Sequence, residues 1–365
     1  MSDEPDGIEE AEEPTVGPDV PPPRANPEFS GHAAAEAALL GAYRSGRLPH
    51  AWLITGPRGI GKATLAFRFA RFLFAQGGAG GALFAAPPAS LFVAADDPAF
   101  RRVASGGHPD LLVVERGFDP RRRRLRSEIV VADTRAIAGF LRLTPAEGGW
   151  RVVVLDGADA MNRNSSNALL KILEEPPERA VLLLVSDNPG RLLPTIRSRC
   201  RRLALRPLPE ALIEEALRRY RPDLPAADAA ALARLAEGSI GRALALASAG
   251  GLELYRNLSS LLERLPEIDD EALHGFADGV LRGEGEDRFA LLGELLPGWL
   301  AHMVTRAAAG IEGEGTTTLA PRRSLDQWVE VWENLTHLFA EADSINLDRK
   351  QVVLNAFFAL EAAAR

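Results

Sequence analysis

The sequence predicts two kinds of architecture: an α/β part built on a parallel sheet, followed by a part made only of helices. Three observations lead to this prediction. A glycine-rich turn joins an apolar strand at 51–55 to a helix that includes 65–70. Further apolar strands alternate with helices as far as about residue 206, which is typical of a parallel sheet covered on both faces. From residue 207 onward, strand patterns disappear and helical spacing continues.

These patterns divide the 365 residues into four predicted segments. Residues 1–28 are acidic, rich in proline and poor in apolar side chains, so we expect a disordered tail that keeps the chain solvated. A functional acidic arm is the alternative for this tail. Residues 29–206 form the predicted α/β domain, 207–250 a small helical domain, and 251–365 a C-terminal helical domain.

Composition and charge exclude several classes of protein. Of the 50 acidic and 42 basic residues, the first 28 residues hold nine and one, so the net charge of −8 belongs to the tail. The rest of the chain is neutral, which does not indicate a general nucleic-acid binder. The single cysteine, Cys200, excludes an internal disulfide and a cysteine-built zinc site. Without a membrane-length apolar run or a signal-sequence pattern, we expect a cytoplasmic protein.

The first elements of the α/β domain are predicted from caps and apolar runs. Ser30 is the expected N-cap of a helix over 32–43. A second strand is expected at 111–115. The arginine-rich run 121–126 is interpreted as the solvated tip of a hairpin between strands. Contact with a nucleic-acid backbone is the alternative, although no aromatic residues interleave with the arginines.

The remaining elements continue the alternation. A short strand is predicted at 129–131, and Asp133 is the expected cap of a helix that ends near residue 143. Apolar runs predict two more strands, at 151–155 and 181–185. The predicted helices that follow lie at 164–175, just before Cys200, and at 209–220, 226–236 and 240–249.

The turn after the first strand has the pattern of a phosphate-binding loop. It reads Gly56-Pro57-Arg58-Gly59-Ile60-Gly61-Lys62-Ala63-Thr64. In such a P-loop, glycines let backbone N–H groups face a phosphate, and the lysine and the following helix N-terminus add positive charge. Only three of the 42 basic residues are lysines. A lysine at this position therefore indicates a site that needs a compact ammonium group rather than a planar guanidinium.

The loop lacks the groups that hold Mg²⁺ and activate water. Ala63 stands where the pattern has Ser or Thr, and Thr64 lies about 100° further around the helix, so it does not replace that hydroxyl. Asp156, at the end of a hydrophobic strand, occupies the position of the Mg²⁺-associated acid. The next residue, where a catalytic glutamate is expected, is Gly157, and Asp159 is interpreted as a helix cap.

Several further motifs carry a family resemblance. They are His108-Pro109-Asp110, Asp156–Asn162, Asn167–Pro177, Arg191–Cys200, Gly238–Leu244 and Asn346–Lys350. Together with the P-loop, they resemble the AAA+ subunits of bacterial clamp loaders, specifically the delta-prime subunits of DNA polymerase III. The resemblance runs from about residue 29 to the C-terminus. It implies an AAA+ P-loop domain with a parallel sheet, a small helical lid domain and a C-terminal helical collar domain for oligomerisation.

The resemblance also implies roles for individual residues. Arg199, in the motif Ser-Arg-Cys, matches an arginine that reaches into a neighbouring subunit's ATP site; its alternative is an ion pair with a surface acid. Arg242 matches the second sensor on the lid, with a plain surface arginine as the alternative. Asp187 stands at the first sensor position, where its carboxylate would repel a γ-phosphate. The residues implied for the nucleotide site are Gly56, Gly59, Gly61, Lys62, Thr64, Asp156 and Arg242.

The sequence therefore predicts a clamp loader subunit of the DNA-directed DNA polymerase III holoenzyme. It would have no or very weak ATPase activity of its own and would supply Arg199 in trans as an arginine finger. The expected partners are the delta and gamma/tau subunits in a ring, with the sliding clamp and primed DNA reached through the complex and no membrane involved. No cofactor is required, although weak binding of ATP or ADP stays open. No zinc is expected, because residues 77–107 contain no cysteine.

Two other functions are weighed against this one. The first is the active motor subunit of the gamma/tau type, against which Ala63, Gly157 and the missing zinc cysteines argue. The second is a P-loop kinase for small molecules. The absence of a second substrate motif and the helical character of the chain after residue 207 disfavour it.

Overall fold

The structure, a computed structural model, describes residues 20–77, 87–119, 124–147, 149–248, 250–282, 285–311, 315, 318–344 and 347–365. The chain divides into two compact units, Met1–Ala243 and Leu244–Arg365. One boundary near residue 243 differs from the two boundaries predicted at 206 and 250, and the finer division into lid and collar remains a prediction.

The first unit is built on a five-stranded parallel sheet. Its strands are β1 (Ala51–Thr55), β2 (Leu111–Val114), β5 (Arg151–Leu155), β6 (Ala180–Ser186) and β7 (Arg201–Ala204), in the order β2-β5-β6-β1-β7. A separate antiparallel hairpin joins β3 (Phe118–Asp119) to β4 (Arg124–Leu125). Because β1 lies between β6 and β7, the loop after β1 leaves the sheet beside the ends of both neighbours.

Helices cover both faces of this sheet, as predicted. They are α1 (Ala33–Arg44), α2 (Lys62–Gly77), α3 (Pro98–Ala104), α4 (Val131–Leu141), α5 (Arg163–Glu174) and α6 (Pro194–Arg199). Three further helices follow the last strand: α7 (Glu210–Tyr220), α8 (Ala226–Leu235) and α9 (Ile240–Ser248). Successive side chains of a strand point to opposite faces. Trp52 and Ile54 therefore pack with α1, α2 and α3, whereas Ala51 and Leu53 pack with α4, α5 and α6.

The second unit consists of helices in the part of it that the structure describes. These are α10 (Gly251–Leu262), α11 (Asp270–Val280), α12 (Gly285–Ala308), α13 (Leu325–Ser344) and α14 (Arg349–Ala364). The buried apolar residues of these helices include Leu258, Leu262, Leu292 and Met303. Among the described helices of the whole chain, none combines the length and the hydropathy that a membrane crossing requires.

Three predicted details of the fold are wrong. His32, not Ser30, is the N-cap of α1. The strand predicted at 129–131 is a single bridge between Ile129 and Met161, because the backbone is already helical from Val131, where α4 begins. Asp133 consequently lies inside the first turn of α4, where its carboxylate accepts a hydrogen bond from the N–H of Val130 at 3.0 Å.

Two further segments differ from or extend the prediction. Strand β7 was not predicted, since its four residues include two exposed arginines at a sheet edge. Residues 20–28 were predicted as part of a disordered tail, but the structure gives them defined contacts with α2 and α7. Residues 1–19 lie outside the described residues. So do residues 121–123 of the arginine-rich run, whose predicted hairpin strands, β3 and β4, are present.

Candidate functional site

The P-loop lysine is already engaged by another side chain of the same chain. Lys62 is the first residue of α2, and its side chain is only 4% exposed. Its ammonium lies 2.6 Å from the carboxylate of Asp187 and donates to the carbonyl of Pro57 at 2.5 Å. Half of the Asp187 side chain is exposed. A buried ammonium held by a carboxylate has the counter-charge that a phosphate would otherwise supply.

The order of the strands explains this ion pair. Thr55 at the end of β1 is in register with Ser186 at the end of β6. Asp187 directly follows β6, and the P-loop directly follows β1. Since parallel strands end at the same edge of a sheet, the carboxylate and the ammonium emerge side by side. The predicted repulsion of a phosphate by Asp187 thus has a structural counterpart in this bond to Lys62.

Asp156 lies one strand further along the same edge, directly after β5. Burial raises the pKa of Asp156 to about 6, and the carboxylates of Glu115 and Asp187 add to the rise while Lys62 opposes it. Glu115 follows β2, so acidic residues stand at the ends of three neighbouring strands. Glu115 was not predicted as part of the site, although its position directly after an apolar strand was a usable signal.

The residues after Asp156 do not provide a catalytic base. Gly157 has φ +73°, a left-handed backbone that disfavours a glutamate at this position. Asp159 was interpreted as a helix cap, and this interpretation is wrong. Its carboxylate instead accepts a hydrogen bond from the backbone N–H of Asp187 at 3.1 Å. Asp159 therefore helps to hold the segment after β6 in place beside the P-loop.

The start of helix α9 is bonded directly to the crest of the P-loop. The hydroxyl of Ser239 donates to the carbonyl of Arg58, and the N–H of Gly241 donates to the carbonyl of Gly59, both at 2.8 Å. A Cβ on Gly59 would lie 2.4 Å from the Ser239 hydroxyl, and one on Gly241 would lie 2.9 Å from the Gly59 Cα. Only glycine at both positions permits this approach. Ser239 was missed as a loop partner, although it lies within the predicted lid motif.

Three further residues predicted for the nucleotide site have different surroundings. Arg242 lies in the first turn of α9, and its guanidinium pairs with Glu237 at 3.2 Å. Its Nε is buried without a hydrogen-bond partner. Thr64 lies in the first turn of α2, two residues after Lys62. Gly56 packs against the carbonyl of Leu205, which a Cβ would approach to 2.6 Å.

Arg199 belongs to a different end of the sheet. It is the last residue of α6 and donates to the carbonyl of Thr195 at 3.1 Å. It also pairs with Glu174 at 2.8 Å, with side chains 35% and 50% exposed. Strand β7 begins two residues later, at Arg201, which is in register with Trp52 at the start of β1. Arg199 therefore lies at the amino ends of the strands, whereas the P-loop lies at their carboxyl ends.

Taken together, the residues around the P-loop do not fit Mg²⁺–ATP. The ammonium that would contact phosphate is bound to Asp187, the acid that would attend Mg²⁺ has a raised pKa, and Ala63 brings no hydroxyl. Among the described residues, no group of three or more His, Cys, Asp or Glu side chains is arranged to hold a metal ion. The expectations about nucleotide and zinc stay predictions.

Comparison with protein families finds a match within the first unit. The family model described as "DNA polymerase III, delta subunit" matches residues 31–209, the segment with the sheet, the P-loop and Arg199. Over residues 31–209, the chain is similar to this family. The fold class predicted from the sequence is confirmed as an α/β domain with a parallel sheet, followed by further helices. Its assignment to the AAA+ proteins stays a prediction.

Individual relatives agree with the family match. The chain is 42% identical over 191 residues to DNA polymerase III subunit delta' of Pseudomonas aeruginosa, which covers 52% of this chain and 53% of that protein. It is 34% identical over 181 residues to subunit delta' of Bacillus subtilis, covering 49% of each. It is 32% identical over 286 residues to subunit tau of Escherichia coli, covering 76% of this chain and 39% of tau. The chain thus spans about half the length of these delta' relatives.

Proposed function

We propose that the chain is a clamp loader subunit of DNA polymerase III that does not hydrolyse ATP itself and supplies Arg199 to a neighbouring subunit's ATP site. The single observation that carries the proposal is the position of Arg199 relative to its own P-loop. An arginine that serves an ATP site must come within hydrogen-bonding distance of the transferred phosphoryl group, where it stabilises the developing charge.

The sheet separates Arg199 from the P-loop of its own chain. Three residues separate Trp52 from Thr55 in β1, which is about 10 Å at 3.3 Å per residue. Arg199 lies two residues before Arg201, the residue of β7 that pairs with Trp52, and the P-loop begins only after Thr55. The guanidinium is therefore remote from Lys62. Since it is partly exposed and held by a surface ion pair, it is available to a partner at little cost.

The environment of the P-loop supports the loss of ATPase activity. Hydrolysis requires a metal-binding hydroxyl, a water-activating group and a lysine that is free to contact phosphate. Ala63 and Gly157 replace the first two, and Lys62 is bound to Asp187. Gly59 and Gly56 instead permit the close packing of the loop against the start of α9 and against Leu205, which directly follows β7.

The proposed partners follow from the relatives. The similar proteins are subunits delta' and tau of DNA polymerase III. We infer that this chain joins gamma/tau and delta subunits in a ring that loads the sliding clamp on primed DNA. The helical second unit, Leu244–Arg365, is the proposed site of subunit association. A cytoplasmic location is part of the same proposal.

An active motor subunit is the second candidate, because the similarity to tau extends over 76% of this chain. A motor needs a nucleotide site that binds Mg²⁺–ATP. The acid at position 187 and the alanine at position 63 work against this candidate. The isolated chain separates the two: a motor would turn over ATP with Mg²⁺, whereas the proposed subunit would show no turnover above a Lys62→Ala variant.

The arginine finger is tested in the reconstituted complex with Arg199→Ala. We expect the DNA-stimulated ATPase rate to fall by about 10³-fold or more, the range for removal of a finger arginine, with the complex still eluting as one species. The matched control is Arg197→Ala, an exposed arginine on the same helix. An unchanged rate with Arg199→Ala, or an equal loss with Arg197→Ala, would contradict the proposed role.

A further inference from the structure

Residues 24–32, here called the N-terminal strap, cross the outside of the P-loop helix. Two arginines of α2 hold them. Arg71 is 2% exposed, donates to the carbonyl of Asn26 at 2.8 Å, and stacks over Phe100 at 4.4 Å. Arg68 donates to the carbonyl of Pro27 at 3.0 Å and pairs with Glu36 at 2.6 Å. Hydrogen bonds from buried guanidinium groups hold the backbone of the strap in one position.

The end of the strap contacts the P-loop itself. The ring of Phe29 lies against Gly61, where an added Cβ would be 3.3 Å from it. His32 is buried, and its Nε2 lies 2.9 Å from the carbonyl of Ile60. A carbonyl oxygen only accepts hydrogen bonds, so the ring donates from Nε2. The strap is therefore attached to the loop as well as to the helix behind it.

The other side of the strap contacts the segment predicted as the lid. The amide of Asn26 exchanges hydrogen bonds with the hydroxyl of Tyr220, the last residue of α7, at 3.2 and 3.3 Å. Glu28 pairs with Arg219 at 2.6 Å. Gly31, with φ +83°, packs so closely that a Cβ would lie 2.2 Å from Leu208 and 2.9 Å from Leu212. These contacts tie the C-terminal end of α7 and the residues before it to the strap.

The lid thus has two separate anchors. One is the strap, at Leu208 and at the end of α7. The other is the bonding of Ser239 and Gly241, at the start of α9, to the crest of the P-loop. In the sequence, helices α7 and α8 lie between Leu208 of the first anchor and Ser239 of the second. A rotation that moves the end of α7 away from the α/β domain must break the contacts of Asn26 and Glu28 with Tyr220 and Arg219.

We propose that the N-terminal strap is a latch that holds residues 207–243, the part of the predicted helical lid that lies in the first unit, against the P-loop in one closed arrangement without any nucleotide. The latch is built from Asn26, Glu28 and Gly31 on the strap and from Tyr220, Arg219 and Leu208 on the lid. It goes beyond the proposed function, since it concerns the lid of this chain and is independent of whether Arg199 acts on a neighbour.

Hydrogen–deuterium exchange of the full-length chain tests the latch. The variant is Asn26→Ala with Glu28→Ala, which leaves the lid's own sequence unchanged. We expect amides of α7 and α8 to exchange about five- to tenfold faster, as for the loss of a few weak contacts, while amides of β1, β5 and β6 keep their rates. The matched control is Ser30→Ala, an exposed residue in the same segment, which should exchange like the wild type.

A second variant approaches the latch from the lid side. Tyr220→Phe removes only the hydroxyl that Asn26 contacts, and its effect on α7 should not add to that of Asn26→Ala, because both remove the same interaction. Unchanged amide exchange in α7 of the Asn26→Ala, Glu28→Ala double variant would overturn the latch. Equal acceleration in the sheet would overturn it too, since the strap would then stabilise the whole unit rather than hold the lid.

Discussion

The two ends of the parallel sheet differ in how their charged side chains are satisfied. At the carboxyl end, Lys62 is buried and bonded to Asp187 and to the backbone of its own loop. At the amino end, Arg199 is partly exposed and pairs with Glu174 across the surface. A buried charge that loses its partner is costly, whereas an exposed pair exchanges partners easily. The end that looks like an active site is therefore internally closed, and the other end is open to a partner.

Some of the motifs that carry the family resemblance contribute to packing rather than to a functional site. His108-Pro109-Asp110, for example, has a packing role: the ring of His108 stacks on Phe74 at 3.7 Å, and Asp110 accepts hydrogen bonds from the N–H groups of Ala146 and Glu147. Burial lowers the pKa of His108, which favours its neutral form. A motif can thus carry the family resemblance and still contribute to the fold rather than to chemistry.

The largest effect expected at the closed end concerns Asp156. Its pKa is about 6 in the folded state and 3.8 in the ordinary case, so the folded state binds the proton more tightly. This contribution to stability is complete below pH 3.8 and is lost as the pH rises through about 6. We therefore expect Asp156→Asn to stabilise the chain at pH 8 by about 1–3 kcal/mol more than at pH 4.

Urea unfolding at the two pH values measures this difference. The control is Glu178→Gln, which removes an exposed carboxylate at the amino end of β6 and should change stability equally at both pH values. If the effect of Asp156→Asn on the free energy of unfolding were as independent of pH as that of this control, the surroundings of Asp156 would not disfavour its charged form.

A smaller effect is expected from Asp187→Asn, which opens the closed end. The change removes the negative charge from Lys62, so a phosphate group can take its place. Ion pairs at this distance near a protein surface are worth several kcal/mol before desolvation, and we expect binding of ADP or pyrophosphate to tighten by about tenfold. Isothermal titration of the purified chain measures it, with Glu178→Gln as the variant of equal charge. Equal affinities in both variants would mean that the lid contacts alone keep the loop closed.

The smallest effect is expected from Glu174→Gln at the open end. Because the Glu174–Arg199 pair is exposed, its loss should change the stability of the chain by less than about 1 kcal/mol. The ATPase rate of the assembled complex should change by no more than about twofold, since Arg199 has to leave Glu174 to reach a partner. A loss comparable to that of Arg199→Ala would mean that the pair itself is part of the subunit contact.

Local patterns were sufficient for most of the fold. Runs such as 152–155 and 181–185 are apolar at every position, which is typical of a strand buried on both faces. The predictions failed where the local pattern is weak. Strand β7 is short, lies at an edge and contains Arg201 and Arg202, so its pairing with β1 provides the strand character that its side chains do not. Residues 20–28 contain few apolar residues, and contacts with Arg71, Tyr220 and Arg219 order them.

The sequence by itself determined that a P-loop is present, that Ala63 and Gly157 depart from it, and that a Ser-Arg-Cys motif carries Arg199. These are properties of residue identity and spacing, which a chain displays without folding. Only the tertiary structure decided what the retained groups do. Strand β6 pairs with β1 although some 125 residues separate them, and this pairing brings Asp187 to Lys62 and leaves Arg199 at the opposite end. Strand order depends on long-range packing, and no local stretch of sequence contains it.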